Sequence, residues 1–393
     1  MRGITATMLR FILLLLFFAS FGEGFWRMPC TNFPGLYRID PLVYPGVPSE
    51  HAHSYHGGSN FGFDTTYEDL MASPCTSCDV AQDKSAYWIP GLYFKFPNGT
   101  VIAVRQVGGL VAYYDMYPAT GPRNIVAFPA GFKMLAGDTY ERDFKWQVPE
   151  PEKSLWTGAE ATEAALRQKA LGFNCLHYGP TSNEATTVRH FLPPRSLLDT
   201  CKDGLRLEIV FPSCWNGKDL DSPDHKSHVA YSSLVLDGTC PEGFPIRLPT
   251  LLYESIWAIE EFTGVEGKFL LSNGDETGLG LHGDFISGWK PEFLQSAIDH
   301  PLCGDPRNSG EIKDCPLFTI QDGDKCQKFT PPSQIMAENC MGPMGSLCGG
   351  KSLEKGGNVA TSHVQVTVTV TSTYHDCAAA PTSRHVHHKM HDF

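Results

Sequence analysis

Three short segments gather the residue types that do acid–base or metal chemistry. HAHSYHGGSNF (51–61) sets His51 and His53 two apart, so a strand would project both rings to one side. Gly57-Gly58 follows, permitting a tight turn or a close backbone approach by a ligand. CWNGKDLDSPDHKSHVAY (214–231) crowds Asp219, Asp221, Asp224, His225, Lys226 and His228 around Ser222-Pro223. A short turn capped there would place His225 and His228, at i and i+3, on one face. SNGDETGLGLHGDF (272–285) sets Asp275, His282 and Asp284 among glycines. Histidine beside aspartate serves metal ligation, general acid–base catalysis or hydrogen bonding to a polar ligand. Burying so many polar groups without a compensating role is costly. The three segments are therefore expected to meet in one polar pocket.

The catalytic candidates in such a pocket are His53, Asp224, His228, His282 and Asp284. Glycoside hydrolysis uses two carboxylates flanking the scissile bond, and Asp221, Asp224, Glu254, Asp275 and Asp284 are available. A lyase needs a base, for which His53, His228 or Tyr231 could serve, and a cation such as Lys226 for the developing carboxylate charge. Trp88, Trp215, Trp257 and Trp289 could offer faces on which a sugar ring stacks. The ligand-binding candidates are Trp215, Lys226, Tyr231, Asp221 and Asp275. His51, His53, His225, His228 and His282 supply enough imidazoles for one divalent metal, zinc or copper. The opposing reading makes the same residues satisfied polar groups that stiffen long loops in a non-catalytic glycan-binding or wall-structural protein. No nucleophile elbow, P-loop, dinucleotide fingerprint or H-E-x-x-H run occurs.

The elements that must position these residues read as mainly β, with a β-sandwich or jelly-roll-like core, a few short helices, long loops and several disulfides. Turn signals recur at PNG (97–99), VGG (107–109), NG (216–217), DG (237–238) and NGD (273–275). Between them lie strand-like runs: AYWIPGLYFKF (86–96), LRLEIVF (205–211), HVAYSSLVL (228–236) and KFLLS (268–272). Helical periodicity is best in GAEATEAALRQKALGF (158–173), followed by PEFLQSAIDHPL (291–302). A hydrophobic fraction of 42% is ample for a sizeable core in a chain of 393 residues.

Arg2 and Arg10 flank the apolar run FILLLLFFASF (11–21), which is too short to span a bilayer. It reads as an export signal over residues 1–24, with the mature chain starting near Phe25. A secreted, extracellular setting makes disulfides the expected state of the 13 cysteines, with at least one left over. Cys75 and Cys78 have C-x-x-C spacing, but no second such pair completes a Cys₄ site, so a structural disulfide role is expected. Asn98-Gly-Thr100 is an N-glycosylation sequon. The net charge of −12 argues against nucleic acid as a partner. A polysaccharide or other glycan is the expected ligand.

Residues 25–320 read as one domain and 321–393 as a largely extended or disordered tail. That tail bears cysteines, the alternating run VQVTVTVTST (364–373), and His385, His387, His388 and His391. Six stretches of the domain resemble the fungal secreted family DUF1996: RIDPLVYPGVPSEHAH (38–53), TYEDLMASPCTSCDVAQDKSAYWIPGLYF (66–94), QVGGL (106–110), CKDGLRLEIVFPSCWNGKDLDSPDHKSHVAY (201–231), RLPTLLYE (247–254) and LSNGDETGLGLHGDFISGW (271–289). The resemblance implies a fungal extracellular protein, cell-wall associated in many cases, and carries no activity with it. His56 departs from the family pattern.

Overall fold

The computed structural model describes residues 24–31, 33, 35–117, 124–179, 183–304 and 309–350. The predicted export signal, the alternating run at 364–373, the tail histidines and Cys377 lie outside these residues.

Fifteen strands are present among them. The first eight are β1 (Gly24–Cys30), β2 (His53–Gly57), β3 (Ala86–Pro90), β4 (Leu92–Lys95), β5 (Val101–Ala103), β6 (Gln106–Met116), β7 (Lys133–Gly137) and β8 (Leu171–Cys175). The others are β9 (Leu205–Val210), β10 (Cys214–Trp215), β11 (Val229–Ala230), β12 (Ile246–Arg247), β13 (Thr250–Trp257), β14 (Lys268–Leu271) and β15 (His282–Ile286). Four short helices accompany them: α1 (Tyr67–Met71), α2 (Glu163–Lys169), α3 (Arg195–Leu198) and α4 (Pro291–Asp299).

The mainly β expectation holds. The strands form four sheets, of order β1-β6-β13-β9-β8, β2-β3-β15-β7, β14-β4-β5 and β11-β10-β12. Every pairing between named strands is antiparallel. The two larger sheets face each other across the main core. Tyr87 of β3 meets Tyr253 of β13 edge-on at 5.6 Å, and Phe211 packs on Tyr253 at 4.5 Å. Because side chains alternate along a strand, the residues between Tyr87 and its apolar neighbours on the inner face point outward. On the four-stranded sheet these are Tyr55, Trp88 and Asp284, which sit directly opposite one another across three strands.

That outer face is also sealed. A second core of Phe33, Ile39, Leu42, Tyr55, Phe61, Phe63, Trp88 and Ile335 covers it. Residues from the predicted tail help to build this cover, a correction to the boundary at 320. Phe329 packs on Phe33 at 4.9 Å and Cys326 is bonded to Cys75, while in a separate small core Tyr93 of β4 donates to the Cys340 carbonyl at 2.7 Å. The segment up to residue 350 thus belongs to the folded body, because apolar side chains that fill a sheet face cannot be left in water without losing about 25 cal/mol per Å².

Six disulfides join Cys30–Cys78, Cys75–Cys326, Cys175–Cys201, Cys214–Cys240, Cys303–Cys315 and Cys340–Cys348. Both cysteines of the C-x-x-C pair are used, each with a different partner, in keeping with a structural role.

Local pattern and outcome differ in three places. AYWIPGLYFKF splits at Gly91 into strands of two different sheets, and a side chain at Gly91 would lie 2.6 Å from Leu36 Cδ1. The run 158–173 opens with a 3₁₀ turn at Gly158–Ala161 and is α-helical only over α2, capped by the Thr162 hydroxyl accepting from Ala165 N–H at 3.2 Å. Its last residues are taken by β8, which pairs with β9, so sheet pairing overrides helix propensity there. In HVAYSSLVL only Val229–Ala230 is strand, and Val235 takes a left-handed φ of 69° in the turn that follows.

The outer face of the larger sheet carries a different polar group. Glu208 and Glu254 are direct cross-strand partners, with Arg206 Nε 2.8 Å from Glu208 and Arg206 Nη1 3.9 Å from Glu254. Burial pushes Glu208 up to about 7 despite Arg206. A carboxyl raised on folding is stabilising while protonated and loses that contribution as pH rises through its folded value. Relative to wild type, Glu208→Gln should therefore gain stability between pH 4.5 and 7.5, by on the order of 1–3 kcal/mol. Denaturant melts of both proteins at several pH values check this, and a pH-independent difference would refute it.

Candidate functional site

The sealed outer face holds the histidines. His53 pairs with Pro90 at one end of β3, and His282 pairs with Gly137 on the far side of β15. Both therefore fall at the same level of the sheet as Pro90, on the face that also carries Trp88 and Asp284. His51, two residues before His53, completes the group. Its Nε2 lies 3.0 Å from His282 Nε2, and His282 Nε2 lies 3.4 Å from His53 Nε2. One ligand atom from each of the three rings falls within a 4.8 Å set. The relative exposures of His51, His53 and His282 are 4%, 1% and 2%.

The second nitrogens decide the protonation pattern. His282 Nδ1–H donates to the Gly280 carbonyl at 2.9 Å, which leaves Nε2 as the lone-pair nitrogen facing the other two rings. Burial lowers His282 to about 4, with Lys226 adding to the shift. Burial also takes His53 well below its usual value, helped by His282. His53 Nδ1 is buried and makes no hydrogen bond of ordinary geometry, though the nearby Ile39 backbone favours a proton there. His53 and His282 are neutral at pH 7, the form in which imidazole binds metal.

Asp275 positions this arrangement from behind. Its carboxylate accepts from Thr277 N–H at 2.8 Å, Thr277 Oγ at 2.7 Å and Gly280 N–H at 2.7 Å, with Arg142 Nε at 3.4 Å. This fixes the residue whose carbonyl orients the His282 ring. Asp275 is thus a support for the site, where the sequence suggested a ligand contact.

Asp284 lies two residues along β15 on the same face, and neither of its oxygens makes a hydrogen bond. Burial holds it well above the usual carboxylate range, and Asp40 adds to the shift while Lys226 opposes it. Asp40 is itself pushed up to about 6 by burial, although Leu42 and Val43 N–H each donate to it at 3.1 Å. Nothing in its local sequence singles out Asp40. Only its packing against the outer face of the sheet brings it beside Asp284.

The segment 214–231 contributes less than expected. It clips to the edge strand β7, where Leu135 N–H donates to the His225 carbonyl at 2.9 Å and Lys133 N–H to the Leu220 carbonyl at 3.0 Å. Lys226 is thereby brought close enough for its charge to act on both His282 and Asp284. His225, at a left-handed φ of 56°, is bound through Nδ1 to Asp221 at 2.7 Å and reaches Asp40 only through its charge.

His228 stays out of the cluster. Its Nε2–H donates to the Lys133 carbonyl at 2.8 Å, its Nδ1 meets Ser222 Oγ at 2.9 Å, and its ring packs on Phe132. Asp224 receives Ser222 Oγ, Ser227 Oγ and the N–H groups of Lys226 and Ser227, which lower its pKa and knot the loop. Tyr231 is buried, with its hydroxyl on the Val210 carbonyl at 3.0 Å. Asp219 receives Asn216 Nδ2 at 2.8 Å.

Other expectations are corrected as well. Trp88, Trp257 and Trp289 are fully buried, so these rings are core rather than sugar platforms, while Trp215 is half-buried, its ring on Phe132 and its N–H on the Asp219 carbonyl. Gly57 does serve a close approach, but by backbone: a side chain there would lie 1.8 Å from the Ser85 carbonyl oxygen. His56 points to the other side, with Nδ1–H on the Thr31 carbonyl at 3.1 Å and Nε2 beside Ser54 Oγ at 3.1 Å. Cys340 and Cys348 approach Glu338, but they are bonded to each other and so are not metal ligands.

The family profile described as Domain of unknown function (DUF1996) matches residues 40–289, which takes in the histidine cluster, Asp284 and the 214–231 loop. The chain belongs to the DUF1996 family. No curated protein and no solved structure matches it significantly. Within the DUF1996 domain the matched stretch opens on Asp40 and closes on Trp289, just past the last site strand.

A split between supporting and ligating residues follows. His228→Ala should destabilise the fold by about 1–3 kcal/mol through its lost hydrogen bonds and ring packing, while leaving the cluster of His51, His53 and His282 able to bind metal. Thermal melts with parallel metal titration check this; a stable variant that no longer binds metal would contradict it.

Proposed function

We propose that the protein carries one divalent metal ion, zinc or copper, on His51, His53 and His282, and uses it in hydrolytic or lyase chemistry on a wall polysaccharide. The observation that carries this reading is the spacing of the ring nitrogens. With metal–nitrogen bonds of ~2.0–2.1 Å, two ligands on one ion stand about 3 Å apart at right angles and roughly 3.3 Å apart at the tetrahedral angle. The observed 3.0 and 3.4 Å, both measured from His282 Nε2, fall on these values. Three imidazoles, two of them held neutral by burial and one oriented through its far nitrogen by a backbone carbonyl, form a donor set suited to zinc or copper.

A bound ion of this kind would polarise a substrate oxygen or lower the pKa of a water. The protein's own residues supply the rest. Asp284 offers a buried carboxyl without hydrogen-bond partners beside the cluster, able to hold or release a proton. Lys226 supplies positive charge on the same side. For the substrate, Tyr44 and Tyr140, whose hydroxyls lie 3.5 Å apart, replace the buried tryptophans as candidate sugar contacts. Tyr140 is 67% exposed and sits in the loop whose Thr139 carbonyl presses on Gly280.

The extracellular setting belongs to the same proposal. It is supported by the six disulfides and by the finding that no helix among the described residues is long and apolar enough to cross a membrane. The near-complete burial of the cluster favours a second reading, in which the ion braces two strands and the preceding loop and the protein binds glycan without reacting.

Elemental mass spectrometry of the purified, desalted protein tests the first step. About one zinc or copper per chain is expected, with at least a roughly tenfold loss of occupancy in His53→Ala and in His282→Ala, since each removes one of three ligands. Absence of stoichiometric metal after incubation with either ion would overturn the reading. Stripping the ion should then abolish polysaccharide cleavage if the site is catalytic, and lower only the melting temperature if it is a brace.

A further inference from the structure

Lys226, whose charge acts on His282 and Asp284, also lines a surface cleft of about 530 Å³. Its walls come from the segment 161–167, the 224–231 loop and the turn 233–244, and both Lys226 and Arg167 line it. The hydrogen-bonding capacity of this lining is unbalanced. The two acids in it are already engaged: Asp224 takes four donors from its own loop, and Glu163 accepts the Tyr231 N–H at 3.1 Å. The two cations are not. Among the described residues the Arg167 guanidinium has one carboxylate near it, Asp138 at 3.9 Å, and the Lys226 ammonium has no ion pair within 4.0 Å. Lys226 is also half-buried, so water compensates it incompletely, and its pKa is lowered by that burial.

A cavity with unspent cationic donors and spent acceptors selects an anionic, acceptor-rich ligand. Leu166, Pro241 and Phe244 add apolar surface of the kind that packs against a sugar ring. Its volume is in the range of small-molecule sites, roughly 300–1,000 Å³.

We propose that this cleft binds a uronate residue of an acidic polysaccharide, with Arg167 and Lys226 as the pair that receives its carboxylate. The inference rests on the polysaccharide reading above and narrows it to acidic chains. A sugar held there would lie beside Lys226, whose charge also reaches His282 and Asp284, so the neighbouring sugar unit would be delivered toward the cluster.

Calorimetric titration of the full-length, metal-loaded protein with a galacturonate trimer, its neutral galactose counterpart and inorganic phosphate tests this. The acidic trimer should bind, more weakly as salt is raised, and the neutral trimer at least tenfold more weakly. Arg167→Gln and Lys226→Gln should each weaken the acidic trimer about tenfold, and Arg167→Lys should recover part of the loss. Metal content, measured on the same Arg167→Gln sample, should be unchanged, which separates failure of the cleft from failure of the metal centre. Equal binding of the acidic and neutral trimers, wild-type affinity in both glutamine variants, or phosphate binding tighter than the trimer would each overturn the proposal.

Discussion

Desolvation of the outer face of the four-stranded sheet is the constraint on which the rest of the site depends. In a two-sheet fold the inner faces make the core and the outer faces meet solvent. Here the outer face is covered as well, by the chain around residues 33–63 and by a C-terminal strap tied down through Cys75–Cys326. Polar side chains that would be unremarkable in water then become costly. Histidine is driven to its neutral form and carboxylates are driven toward theirs. His53, His282, Asp40 and Asp284 all shift in that direction, with burial as the largest cause in each case.

The polar groups on the two outer faces are handled differently. On the larger sheet, Arg206 stands between Glu208 and Glu254 and Thr187 N–H donates to Glu208 at 2.6 Å, so a cation and a donor offset part of the cost of burying the acid. On the smaller sheet, Asp284 has no hydrogen-bond donor, and the three imidazoles turn their Nε2 atoms toward one another. Compensated groups hold a structure together. A buried carboxyl without a donor, beside ring nitrogens that converge on a point, is what a ligand or ion would satisfy. That contrast, within one fold, supports the proposed site on the smaller sheet.

The loop 214–231 links the two parts of the functional picture. Its aspartates and His228 are spent on internal hydrogen bonds, which make it a rigid clip on the edge of β7. Rigidity there lets Lys226 stand between the cluster and the cleft without a partner of its own to hold it. The density of charge in this run therefore serves shape first, and function through one residue.

Legible in the sequence were the β-rich class, the family and the disulfide-bonded character of the domain, with a set of site candidates that held His51, His53, His282 and Asp284 beside Asp224, His225 and His228. Those readings rest on local information: turn residues at intervals, cysteine number, and polar side chains embedded among glycine and apolar residues. A spacing of two on a strand is enough to put His282 with Asp284 on one face of β15, whereas His51 lies just before β2 and reaches His53 and His282 from the preceding loop. What the tertiary structure decided was which segments meet. His228 looked equivalent to His53 in type and company, yet it is consumed by Ser222 and the Lys133 carbonyl. Asp40 and Arg167 showed no local signal, and the strap at 326–350 read as tail. Sheet order, register and burial assign these roles, because the pKa of a carboxyl and the partner of an imidazole depend on neighbours that lie tens or hundreds of residues away along the chain.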